Sequence, residues 1–233
     1  MEDIPDVKFD SENPHVLRAY QLETEGKYLE AIESYKRALE QDPKLGIVYK
    51  HIANVYYRLG QLDKAETYFN KAIELLPDYP TAYFEMGLNY YRQARLRQAI
   101  LMMEKVIQLD NEILIAHYWL GILNYHYGKP VKAREELEYV ININPGFYIA
   151  YYQLGLANTR MGKYEDAVKN FTKLTEVNPD SPTAHALLGD AYLNLDKKIE
   201  ARKHYKIALE LDPEDQTAKN GLILATEYND NLM

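Results

Sequence analysis

The chain has 233 residues, 47% of them hydrophobic, and a formal net charge of −8. That charge argues against general affinity for nucleic acid, which rests on neutralised phosphates, and no apolar run approaches the ~20 residues of a membrane span. Cysteine is absent, which removes disulfides and thiolate metal sites.

The first eleven residues hold four acids, one lysine and a proline, the composition of a disordered acidic tail over 1–11. The opening Met1-Glu2-Asp3 lacks the basic and apolar parts of a secretory signal, so the expected location is cytoplasmic. From residue 12 the chain repeats itself with a period of 34, in units 12–45, 46–79, 80–113, 114–147, 148–181 and 182–215. One register is always small: Ala19, Ala53, Gly87, Gly121, Gly155 and Gly189. A second is always alanine: Ala31, Ala65, Ala99, Ala133, Ala167 and Ala201. A third is proline (Pro43, Pro77, Pro145, Pro179, Pro213) except at Asn111. A fixed period of roughly 20–50 residues marks a stack of units, none able to bury its apolar face alone.

Within each unit the spacing predicts two antiparallel helices. In the second, Tyr49, Ile52, Ala53 and Tyr56 form one helical stripe. Gly60 stops that helix where the chain passes into a left-handed residue. Ala65, Phe69 and Ala72 carry the second helix, and Leu76-Pro77 ends it, because proline disfavours helix in the residue before it. The same stop recurs at Gly26, Gly128 and Gly162, with Asp196 as a tolerable substitute and Ala94 as the poor fit. Small residues at the crossing let the two backbones approach to about 8–10 Å. In the first unit His15 and Arg18 give a polar edge. After Asp215, residues 216–229 read as a capping helix with Leu222 and Ile223 in its packing positions and Gly221 as a weak point, followed by a tail over 230–233. No strand-length alternation occurs, so sheet is not expected.

These registers resemble the tetratricopeptide repeat, whose pattern runs aromatic, leucine, small residue and tyrosine in the first helix, then alanine, aromatic, alanine and proline. The second unit supplies Tyr49, Ile52, Ala53, Tyr56, Ala65, Phe69, Ala72 and Pro77. The fifth supplies Tyr151, Leu154, Gly155, Ala167, Phe171 and Pro179. The third departs at Met103 and Asn111. The resemblance implies an all-α fold, a right-handed superhelical α-solenoid of antiparallel helix pairs, six full repeats and a capping helix.

It also implies that the first helices line a concave, ligand-contacting side. The positions on that face are Lys50, Asn54, Tyr57 and Arg58 in the second unit, and Phe84, Leu88, Tyr91 and Arg92 in the third. The fourth adds Tyr118, Trp119, Ile122, Tyr125 and His126, and the fifth Tyr152, Leu156 and Arg160. Tyr, Trp and Arg are the residue types that most often dominate interface energy, and a row of cations favours an acidic, apolar segment. The family's carboxylate clamp fits at Lys50 and Asn54 but fails at Glu85, Ile115 and Trp119, so a terminal carboxylate is not the expected ligand. The Arg positions also lie in the last turn of their helices, where a cation is favoured by the helix dipole.

No two of the six histidines lie three or four residues apart, so no helical metal motif exists. His117 and His185 stand in a packing register occupied elsewhere by tyrosine. Neither catalysis, a metal nor a cofactor is expected. The expected role is a scaffold or adaptor for a protein or peptide partner, with neither nucleic acid nor membrane insertion. The alternatives are a self-assembling homo-oligomer, whose exposed ends dock on a second copy, and a non-catalytic subunit of a larger complex.

Overall fold

The structure, a computed structural model, describes residues 12–227. The tail over 1–11, the last two residues of the expected cap and the tail over 230–233 lie outside that range. Among the described residues there are thirteen α-helices and no strand. The chain divides into two compact units, Met1–Leu123 and Asn124–Met233.

Unit 1 contains α1 (Pro14–Thr24), α2 (Tyr28–Gln41), α3 (Gly46–Arg58), α4 (Leu62–Leu75), α5 (Pro80–Arg92) and α6 (Leu96–Leu109). It also holds most of α7 (Leu114–His126). Within it α1, α3 and α5 each pack on the even helix that follows, α2 and α4 contact the next first helix, and α3 touches α5. Unit 2 continues with α8 (Pro130–Ile143), α9 (Tyr148–Arg160), α10 (Tyr164–Val177), α11 (Pro182–Asn194), α12 (Lys198–Leu211) and α13 (Gln216–Glu227). There every helix packs on its successor, and α11 also reaches α13. Both units are α-solenoids of antiparallel helix pairs.

The turn inside each pair is the same device throughout. Gly60 takes φ +73°, and the amide of Gln61 then donates to the carbonyl of Tyr56 at 2.9 Å, capping carbonyls the helix leaves open. Ala94 and Asp196 adopt the same conformation at φ 58° although both carry a Cβ. Tertiary packing therefore overrides a local cost of roughly 1–2 kcal/mol at Ala94. At Asn111 the missing proline changes nothing, because Asp110 is extended at φ −152°, ψ 108°, as Asp42 is before Pro43.

The all-alanine register is 0% exposed in all six copies, so it forms the crossing between paired helices. The small register faces a large side chain from the second helix. A Cβ on Gly189 would lie 2.7 Å from the Tyr205 ring, and one on Gly155 closer still to the Phe171 ring. Gly221, read in sequence as a weak point, has the same role, since the other side of Tyr205 fills the space its Cβ would need. The packing face of α13 is correspondingly Ala218, Gly221, Leu222 and Ala225. Ile223, expected inside, is 51% exposed, because its register is normally covered by the second helix of its own unit.

Candidate functional site

The first-helix face of unit 1 gathers the predicted residues of α3 and α5. Asn54, Tyr57, Arg58 and Leu88 line one cleft of about 210 Å³ together with Glu85. Asn54 donates from Nδ2 to Glu85 Oε1 at 2.8 Å, so the residue that breaks the clamp pattern forms part of the wall. Arg58 Nη1 lies 3.7 Å from Glu23 Oε2 on α1. Glu23 also accepts from the buried Tyr35 hydroxyl at 2.5 Å. Burial, first, and then that carboxylate hold the hydroxyl far above the ordinary phenol range.

Beside the cleft, Tyr91 meets Trp119 edge to face at 5.5 Å and 65°, with Tyr118 6.3 Å from the same indole. Phe84, Leu88, Tyr91 and Trp119 are half-buried and rest on the core of unit 1. Half-buried aromatics of this kind keep apolar area for a partner on a rigid support. Two predicted residues do not reach this surface. Lys50 is 1% exposed, with its ammonium 5.9 Å from the Tyr79 ring, and Ile122 is 6% exposed.

The arginines have work within the fold. Arg92 lies over the Tyr57 ring at 4.5 Å and donates from Nη1 to the Tyr57 carbonyl at 2.8 Å. In unit 2, Arg160 repeats this with Tyr125, at 5.2 Å from the ring and 2.9 Å from the carbonyl. Each guanidinium caps the carboxyl end of the preceding first helix, where the helix dipole favours a cation, and stacks on the ring that end presents. A 35-residue pairing is thus a brace between repeats, and both arginines stay solvent-exposed. His126 packs edge-on against Tyr125 at 5.6 Å. Tyr152 and Leu156 are half-buried, Leu156 against the Phe171 and Leu188 cluster.

Three features escaped the sequence reading. Glu23 pairs with Arg58 beside the cleft although it stands in no register that draws notice, and Glu85, which sequence marked only as the break in the clamp pattern, forms the cleft wall. A cavity of about 480 Å³ opens at the loop edge of unit 1, lined chiefly by Leu45, Ile47, Leu75, Leu76, Pro77 and Tyr79. His185 and His204, 19 residues apart, meet Nδ1 to Nδ1 at 3.1 Å, with the rings 17° from parallel. Nothing in helical spacing pointed to the histidine pair.

Repeated helix pairs whose candidate sites are open faces define a repeat protein of the interaction-scaffold class. Tetratricopeptide-repeat family models match over residues 10–78 and 44–112, and over 84–146 and 152–216. The chain belongs to the tetratricopeptide-repeat family. No curated protein matches it. Among solved structures, MamA is 30% identical, with 68% of this chain and 92% of that chain covered at a TM-score of 0.65. YrrB, described as a tetratricopeptide protein with an unusual peptide-binding site, is 24% identical over 81% of this chain and 97% of its own, at 0.74. The C-terminal part of a repeat protein from Cytophaga hutchinsonii is 21% identical over 91% and 85%, at 0.77. These last two likenesses establish the fold alone. No helix among the described residues is long and apolar enough to cross a membrane.

Proposed function

We propose that this scaffold holds a segment of a partner protein against the first-helix face of unit 1. The observation that carries the reading is the half-buried Tyr91–Trp119 pair standing beside the cleft of Tyr57, Leu88 and Asn54. An apolar side chain of the partner enters the cleft, and the aromatic pair covers the residue next to it. Acidic side chains on the partner add a smaller term, because Arg58 already faces Glu23 and Arg92 is stacked on Tyr57. Exposed ion pairs contribute about 0–1 kcal/mol, whereas a buried aromatic anchor contributes 2 kcal/mol or more.

The test is the dissociation constant of a partner recovered with the intact chain. A Tyr91→Ala, Trp119→Ala variant is expected to weaken it by at least tenfold, and an Arg58→Glu, Arg92→Glu variant by less. Unchanged affinity in the aromatic variant refutes the reading. A second reading, self-assembly, is favoured by Ile223 and Leu224, both exposed on α13. Solution mass that rises with concentration, and stops rising in an Ile223→Ser, Leu224→Ser variant, selects it.

A further inference from the structure

Large hydrophobic side chains are exposed unequally in the two units. Among the described residues, three lie in unit 1 (Leu17, Leu29, Leu101) and eleven in unit 2. Single exposed hydrophobics are ordinary; a clustered set is not. Five of the eleven share one edge of unit 2. Ile143, Val177 and Leu211 are the last residues of α8, α10 and α12, 34 residues apart. Tyr148 and Ile149 open α9. Second helices end and first helices begin at the same edge, because the pairs are antiparallel. All five side chains are between 39 and 59% exposed.

The charges around them have one sign. The segments 141–152, 174–187 and 207–218, which make up this edge, contain no lysine or arginine. They contain six acids: Glu176, Asp180, Glu210, Asp212, Glu214 and Asp215. Lys173, Lys206 and Lys219 stand just outside; Lys173 bridges Glu176 at 2.8 Å and Lys219 bridges Glu214 at 2.9 Å, and the six acids outnumber these cations two to one. An anionic membrane surface and nucleic acid are both repelled by such an edge. In the same register of unit 1, Leu75 lines the apolar cavity described above, so this edge offers apolar surface there as well.

We propose that the loop edge of unit 2 is a second docking surface, and that its occupant is a protein segment alternating aliphatic with lysine or arginine side chains. The aliphatic side chains cover Ile143, Val177, Leu211 and the start of α9. The cations face Asp180, Glu210 and Asp212. This surface is separate from the first-helix face and does not depend on it.

Fluorescence anisotropy with a short labelled peptide of alternating leucine and lysine tests it, against a leucine–glutamate peptide as control. The intact chain should bind the basic peptide at least tenfold more tightly than the acidic one, and less tightly as salt rises. Ile143→Ser, Val177→Ser, Leu211→Ser should weaken binding about tenfold, as expected from three lost aliphatic contacts. The far-ultraviolet circular dichroism should stay unchanged, because the three side chains are exposed. An Asp180→Lys, Glu210→Lys variant should also weaken binding, and Leu88→Ser should leave it intact. Equal affinity of the intact chain and both edge variants overturns the proposal, and so does a loss in Leu88→Ser as large as in the triple variant. Concentration-dependent mass that the triple variant abolishes overturns it in favour of a second copy.

Discussion

Unit 1 and unit 2 are built from one repeat, yet they distribute apolar side chains differently. In unit 1 one large buried cluster runs from Val16 to Leu123 and carries the aromatic face on its surface. In unit 2 buried residues form separate clusters, one around Tyr205 and one around Phe171, while most of the exposed large hydrophobics lie there. The repeat constrains the helix crossings and turns and leaves the remaining positions free. Unit 1 uses them to consolidate a platform, and unit 2 uses them to present apolar surface. Local stability follows contiguous buried clusters, so amide hydrogens in unit 2 should exchange sooner than those in unit 1.

Phe69 and Phe171 occupy the same register in the two units, and both are buried. Replacing either with alanine should cost about 3–5 kcal/mol, read from denaturant unfolding. Faster exchange should be confined to α3–α6 for Phe69→Ala and to α9–α12 for Phe171→Ala. Spread of either effect over the whole chain would break the comparison. Gly155→Leu, which drives a side chain into the Phe171 ring, should cost about 1–3 kcal/mol. An unchanged thermal midpoint would contradict the close crossing.

A gain of about 1 kcal/mol is expected from Ala94→Gly, which relieves a left-handed alanine. Asp196→Gly should gain less, since aspartate tolerates that conformation better. Both are read as thermal midpoints, and a loss at Ala94 would contradict the turn assignment.

The smallest effect depends on pH and belongs to unit 2. Burial, first, and then His185 and Lys203 lower His204 from 6.5 to about 4. Tyr192 stacks on the imidazole, and the Pro179 carbonyl lies 2.9 Å from Nε2 of His185. Below pH 6.5 the unfolded chain takes up a proton that the native ring refuses until near pH 4. Stability is therefore fully present above 6.5 and is lost as pH falls from 6.5 to 4. His204→Gln should flatten the thermal midpoint over that interval, and an unaltered slope would remove the pair from the account.

Most of the fold was legible in the sequence. Three registers of alanine, small residue and proline, each in six copies, located every helix pair, and glycine or its substitutes located every turn. Ala94 fitted poorly as a residue, and the repeat placed its turn correctly all the same. The site was less legible, because a helical wheel shows which face a residue occupies and not what meets it there. Arg92 and Arg160 stand on the expected face, but their partners are 35 residues back, at Tyr57 and Tyr125. Lys50 and Ile122 belong to that face by spacing and are buried all the same. Ile223 was placed inside by a register that presupposes a following helix. Glu23 meets Arg58 from 35 residues back and is found only when the repeats are assembled.

A photo-crosslinking residue at position 88 reports whether the first-helix face of unit 1 holds the partner. A partner recovered with the intact chain should crosslink from that position, and excess unlabelled chain should compete the product away. A partner that binds with full affinity yet crosslinks only from an exposed second-helix position such as 199, on α12, would contradict that placement.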